Sequence, residues 1–319
     1  MKNKRQKTGF IIFIAIVVFI ILCAFARLFI FKSSSSSYDT KQTFAFGKPK
    51  SYVAALYIEG VIQEENLTYN QAWLLNTIQT LKEDKRNAGL AIFINSPGGT
   101  VYEADEVYLS LMDYKRNGKP VYVYQGKLAA SGGYYISCAA KKIYANRNTL
   151  TGSIGVISGS SFDLTGLFEK LGIKSETIHS GKNKNMFNSN ETVTPEQRAI
   201  MQSISDECYG QFTDIVAMSR NIPINDVKLL ADGRIYTANQ ALKNGLIDAV
   251  DSWENMLNAM NENEFQGKKL PVIEYRYEKL PSFSDFILGK VSSALPNAKV
   301  LQTFIQESSI QYPAYLYKE

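Results

Sequence analysis

The sequence predicts an α/β protein built on a largely parallel sheet and carried behind an N-terminal transmembrane helix. Three observations lead there. From Tyr52 onward, strand-length apolar runs alternate with helix-period segments, the pattern of βαβ units. The strand-length runs are apolar almost throughout, as expected of strands covered by helices on both faces. Gly9 to Ala26 carries no charge and follows Lys2, Lys4, Arg5 and Lys7. A run of that length with a basic flank is the mark of a spanning helix whose N-terminus stays in the cytoplasm.

In chain order, residues 1–8 read as a basic N-terminus and residues 9–31 as the membrane anchor. Arg27 interrupts the apolar run and Leu28 to Phe31 resume it. A cleaved signal peptide is the rival reading, because Ala24-Phe25-Ala26 resembles a small-residue cleavage site. The apolar run continues past that site, which favours a retained anchor. Cys23 follows Leu22 rather than a small residue, which argues against a lipoprotein site. Residues 32–50 open with Ser33 to Ser37 and read as a flexible linker. The expected location is the cell membrane, single-pass, with the folded domain at 51–264 outside the cytoplasm and a C-terminal extension at 265–319.

Within the domain, Val53–Ile58, Leu90–Ile94, Val121–Tyr124 and Ile143–Ala145 read as strands, with further strands at Gly152–Ile157 and Lys174–Ile178. Tyr69–Lys85 places Trp73, Leu74, Ile78 and Leu81 at helical spacing. Val101–Tyr114, Ser131–Ala140 and Leu164–Leu171 also read as helices. Thr194 caps a long helix through about Met218, with Pro195 at its first position. Gly233–Val250 reads as a helix ended by Gly245 and then a short strand, and Trp253–Asn261 as a helix.

Hydrophobic residues make up 45% and charged residues 20% of the chain, a balance that supports a packed core. The formal net charge is +5. Lys2, Lys4, Arg5, Lys7, Arg27 and Lys32 all precede the domain without an acidic residue among them. The remainder is close to neutral and lacks the basic face of a nucleic-acid binder. A single histidine, His179, excludes a multi-histidine metal centre within one chain, and no metal or cofactor is expected. Cys138 and Cys208 fit no disulfide framework or zinc spacing and read as free thiols.

Three segments carry chemistry. Asn95-Ser96-Pro97-Gly98-Gly99 leaves a strand and enters a helix, and its glycines let backbone N–H groups approach a ligand closely. The plain alternative is a tight turn. Ala129-Ala130-Ser131-Gly132-Gly133 places a serine among small residues at a helix start. Ser131 reads there either as a nucleophile or as a helix cap. Ser180-Gly181-Lys182-Asn183-Lys184 offers two lysines after a strand. A lysine serves as a general base only when neutral, which requires an apolar pocket that disfavours its charge. A solvated loop lysine is the plain alternative, and Lys182 fits it.

Together with TGSIGV at 151–156, NSPGG (95–99), AASGGYY (129–135) and SGKNK (180–184) resemble the signal peptide peptidase A family, within the Clp/crotonase superfamily and its ββα superhelix. The resemblance covers about Tyr52 to Trp253, and the length matches the short, single-copy form. It implies a serine endopeptidase with a Ser/Lys dyad that degrades remnant signal peptides and similar apolar, extended peptides. It implies Ser131 as nucleophile, Lys184 as general base, Ser153 as the residue that orients the lysine, and Gly98 and Gly132 as oxyanion-hole donors. It further implies a ring-shaped homo-oligomer whose neighbours complete one another's sites. His179 is a rival base, more naturally a strand-end residue with a structural hydrogen bond. Asp163, Asp105 and Glu103 read as capping or surface carboxylates.

Other readings stay open. An acyl-CoA enzyme of the same fold needs neither Ser131 nor an anchor. A non-catalytic membrane scaffold predicts loss of the serine or the lysine, and both are present. A stomatin-partner membrane protease carries further spanning helices, for which the sequence offers no second apolar run. The tail from Pro281 to Glu319 is a candidate for trimming by the enzyme or for occupying its groove.

Overall fold

The computed structural model describes residues 49–279 and the backbone of Ala314–Leu316. The anchor and most of the linker and tail lie outside the described residues. Among the described residues, no helix is long and apolar enough to cross a membrane.

Eight strands form one sheet: β1 (Tyr52–Glu59), β2 (Asn87–Ser96), β4 (Val121–Ala130), β5 (Lys142–Ala145), β6 (Leu150–Gly152), β7 (Ile235–Thr237), β8 (Ala249–Val250) and β9 (Val272–Tyr275). The main order is β7-β6-β4-β2-β1-β9, with β5 beside the first half of β4 and β8 beyond it. All pairings are parallel except β6 with β7. Strand β9 comes from the segment read from sequence as C-terminal extension, so the sheet draws on residues beyond 264. The short β3 (Gly98–Thr100) stands apart, paired antiparallel with β10 (Ala314–Leu316).

The connecting helices are α1 (Gln71–Glu83), α2 (Val101–Arg116) and α3 (Gly132–Ser137). They are followed by α4 (Thr165–Leu171), α5 (Pro195–Arg220), α6 (Ile224–Leu230), α7 (Ala238–Lys243) and α8 (Trp253–Phe265). Local chemistry starts several of them. Asn70 accepts from the Trp73 N–H to begin α1. Thr194 caps α5 with Pro195 at its first position, as the sequence predicts, and Gln197 completes a reciprocal capping box.

The strands are apolar on both faces because both are covered. On β1, Leu56 and Ile58 enter the larger core while Val53 enters a smaller one with Tyr122, Tyr124 and Met256 of α8. Burying such a side chain stabilises by about 1.5–3 kcal/mol relative to exposure.

Three sequence expectations change. Lys174–Ile178 forms no strand: the segment has no sheet partner among the described residues, and Ile178 is 94% exposed. The strand expected at Gly152–Ile157 instead spans Leu150–Gly152, because the backbone turns left-handed at Ser153. In Gly233–Val250, only Ala238–Lys243 is helical, and Ile235–Thr237 joins the sheet against β6.

A part-buried ion pair ties α5 to the sheet. Asp248 Oδ2 accepts from Arg220 Nη1 at 2.9 Å and from the Ile143 N–H at 2.8 Å, while Oδ1 accepts from Lys142. Burial pushes the Asp248 carboxyl up, but the bonds from Arg220, Ile143 and Lys142 outweigh it and hold the carboxyl below its ordinary range. Its stabilising contribution is therefore full above the unfolded-state value of about 3.9 and is lost as pH falls through the lower folded value. Asp248→Ala leaves the mostly buried Arg220 guanidinium without its carboxylate, and the expected loss is about 1–3 kcal/mol, read as a lowered midpoint in denaturant unfolding near neutral pH.

Candidate active site

The register of β4 gathers the sequence motifs at one edge of the sheet. Ser96, at the end of β2, pairs with Ala129. Gly152, at the end of β6, pairs with Ala130. Ser131 and Ser153 each follow directly, just past the ends of two neighbouring strands. This is the C-terminal edge of the parallel strands, where open α/β sheets place their ligands.

Both serines hold left-handed backbones, with φ of 53° at Ser131 and 50° at Ser153. Such a conformation in a non-glycine residue costs about 1–3 kcal/mol and persists where surrounding structure dictates it. Here the Ser131 N–H donates to the Gly152 carbonyl at 2.7 Å, and the Ser153 N–H to the Arg234 carbonyl at 2.9 Å. Ser131 makes no side-chain capping bond to α3, which removes the helix-cap reading of its hydroxyl. It is 1% exposed.

Two tyrosines after Ser131 pin its helix. Tyr134 Oη donates to the Leu246 carbonyl at 2.8 Å. Tyr135 Oη donates to Asp105 Oδ1 at 2.6 Å and accepts from Gln211 Nε2 at 2.7 Å. Asp105, read from sequence as a capping or surface carboxylate, thus joins α2 to the helix that Ser131 opens.

Strand β3 packs against α3 and has two sides. Toward the domain, the Gly98 carbonyl accepts from the Ile62 N–H at 2.8 Å, and the Thr100 N–H donates to the Ile62 carbonyl at 2.9 Å. By alternation the Gly99 N–H and carbonyl face the other way, toward Tyr315 of β10. Only glycine fits there: a Cβ on Gly99 would lie 1.7 Å from the Ile62 carbonyl oxygen. Gly98 has a φ of +99°, and its N–H donates to Ser96 Oγ at 3.0 Å. Nothing local in the sequence marked β3 as a strand; the PGG turn was its only signal.

The lysines lie apart from this cluster. Lys182 is ion-paired with Glu196, which also accepts from Asn183 Nδ2, and Lys182 holds the Glu196 carboxyl below its ordinary range. Lys184 is exposed, with no ion-pair partner or hydrogen bond to Ser131 among the described residues. His179 is exposed and donates through Nδ1 to the Gly181 carbonyl at 3.1 Å. The same segment leaves Phe162 71%, Leu171 63% and Ile178 94% exposed. Cys138 is buried, and burial pushes its thiol up to about 12.

The site thus holds a strained serine between a parallel strand and a helix, near a short strand that pairs with an extended segment of the chain. The profile for peptidase family S49 matches residues 113–266. A protein of Enterococcus faecium named as a signal peptide peptidase SppA is 35% identical over 295 residues, covering 87% of this chain and 84% of that one. The chloroplastic serine protease SPPA of Arabidopsis thaliana is 32% identical over 74% of this chain, which spans 35% of that longer protein. Protease 4 of Haemophilus influenzae is 28% identical over 77% of this chain and 39% of its own length. Among solved structures, a ClpP1 mutant of Listeria monocytogenes aligns with a TM-score of 0.44 at 17% identity, over 63% of this chain and 93% of that one. The chain belongs to peptidase family S49 and is a serine protease.

The Gly99 contact makes a sharp prediction. Gly99→Ala forces β3 away from Ile62, and peptidase activity should fall to background in an assay with a fluorogenic peptide. Activity within twofold of the parent would show that β3 does not seat the substrate.

Proposed function

We propose that this chain is a membrane-anchored Ser/Lys endopeptidase that degrades remnant signal peptides and similar apolar, extended peptides. The observation that carries the reading is the antiparallel pairing of Ala314–Leu316 with Gly98–Thr100, one turn of chain from the strand end next to Ser131. A peptide strand added to β3 is held through its main chain, a mode that tolerates varied side chains. The segment of the chain's own tail stands in for such a peptide. The name of the Enterococcus faecium relative supports the substrate class.

In this mechanism, neutral Lys184 Nζ takes the proton from Ser131 Oγ as the oxygen attacks the peptide carbonyl carbon. The N–H groups of Gly98 and Gly132 donate to the oxyanion, and Ser153 orients the lysine. The C–N bond breaks, and Lys184 returns the proton to the leaving amine. Lys184 then deprotonates a water, which hydrolyses the acyl-enzyme and frees Ser131. The ion pair of Lys182 with Glu196 supports Lys184 as the base, because it engages the Lys182 ammonium elsewhere.

The reading places the base and the nucleophile of one site on neighbouring subunits of a ring-shaped homo-oligomer. Its support is the exposure of Lys184 on a segment whose apolar side chains are uncovered within one chain. Exposed apolar clusters of this kind are usually interaction surfaces. The anchor at Gly9 to Phe31 would hold the ring at the membrane, with the domain outside the cytoplasm, where spent signal peptides arise.

Cleavage of a fluorogenic signal-peptide fragment is expected to vanish in Ser131→Ala and in Lys184→Ala and to persist in Lys182→Ala. Co-assembling the two inactive variants should restore measurable activity, since some sites then pair an intact serine with a neighbour's intact lysine. Co-assembled rings that stay inactive would place both groups on one chain. Loss of activity in Lys182→Ala alone would reassign the base. Removing residues 313–319 should lower the KM for added peptide, and an unchanged KM would show that the tail does not compete for β3.

A further inference from the structure

Ser96 is the last residue of β2 and is fully buried. It touches both halves of the machinery described above. Its Oγ accepts from the Gly98 N–H at 3.0 Å. Its carbonyl oxygen and Cβ lie 3.1 and 3.5 Å from the place a Cβ on Gly133 would take. Across the sheet it pairs with Ala129, two residues before Ser131. A single side chain therefore stands between the turn that carries Gly98 and the helix start that follows the nucleophile.

We propose that Ser96 is a positioning residue for the peptidase reaction: its hydroxyl sets the plane of the Pro97–Gly98 peptide and so the place of that turn relative to Ser131. Pro97 has no N–H, and Gly98, at a φ of +99°, tolerates a wide range of backbone angles. Ile62 holds the Gly98 carbonyl and the Gly99 backbone, and the Ser96 hydroxyl is the contact that reaches the Gly98 N–H itself. With it, an arriving oxyanion shares an N–H already fixed in direction, as a three-centre bond, an arrangement common where N–H groups face two acceptors. Preorganised donors of this kind are effective because they need no reorientation during the reaction. The proposal rests on Ser131 as nucleophile and Gly98 as oxyanion donor.

The test compares wild type, Ser96→Ala, Ser96→Thr and Ser131→Ala as full-length protein. The readouts are kcat and KM on a fluorogenic peptide, inhibition by a peptide boronate that mimics the oxyanion, and thermal unfolding. Ser96→Ala should lower kcat at least ~10-fold and leave KM within ~2-fold, the split expected when only transition-state stabilisation is lost. Boronate affinity should fall by a similar factor. Ser96→Thr, which keeps the acceptor oxygen, should recover most of the loss. If Ser96→Ala matches or exceeds wild-type kcat, the hydroxyl is idle or competes for the N–H, and the proposal is overturned. If both Ser96 variants lose activity only in proportion to their folded fraction, the role is structural and the proposal fails. Full activity in Ser131→Ala would overturn the nucleophile assignment first, and this proposal with it.

Discussion

The register of β4 is the constraint on which the site depends. Its last residues pair on one side with the end of β2 and on the other with the end of β6. That double pairing brings Ser96 level with Ala129 and sets Ser131 and Ser153 just beyond the paired Ala130 and Gly152, although they come from separate stretches of chain. A slip of one residue would turn each side chain to the opposite face of the sheet. The slip is opposed by the packing of both faces, where Leu90, Ile92, Ile94, Val121 and Val123 enter the larger core and Ala91, Tyr122 and Tyr124 the smaller. Apolar burial thus fixes the geometry of a polar site.

The strain at Ser131 and Ser153 is held by the same frame. Each N–H is committed to a backbone carbonyl of a neighbouring segment, and neither residue can relax to an ordinary conformation without giving up that bond. Tyr134 and Tyr135 add anchors from the helix that Ser131 opens to Leu246 on one side and to Asp105 and Gln211 on the other. Buried hydroxyls placed this way lose the cost of desolvation when bonded and incur it when not, so the network resists displacement of the helix start.

Packing is uneven along the chain. The central strands and one face each of α1 and α2 bury large side chains, whereas α4 buries none. The segment from Ile157 to Ile178 instead presents Phe162, Leu167, Leu171 and Ile178 to solvent. Its polar contacts run largely to the stretch leading into α5, such as Asn190 with Ser175 and Thr177 and Thr192 with Asp163. Such a segment gains little from the described part of the domain's core, and in the proposed ring a second copy of the chain would cover it. The uneven packing and the separation of Lys184 from Ser131 are accounted for together if the site is completed between subunits.

The sequence by itself determined the α/β class, most strands and helices of the core, the start of α5 and the motifs that gather at the sheet edge. Those features are written in local signals: hydrophobic period, capping residues such as Thr194 and Pro195, and glycines at turns. Only the tertiary structure decided that Gly98–Thr100 is a strand, that Ser131 is strained rather than helical, that Lys182 is held by Glu196, and that Lys174–Ile178 is not a strand. Each of these depends on a partner elsewhere in the chain: Ile62 and the tail for β3, Gly152 for Ser131, the first turn of α5 for Lys182. A strand is completed by its neighbour's hydrogen bonds, and a local apolar pattern cannot record whether that neighbour arrives.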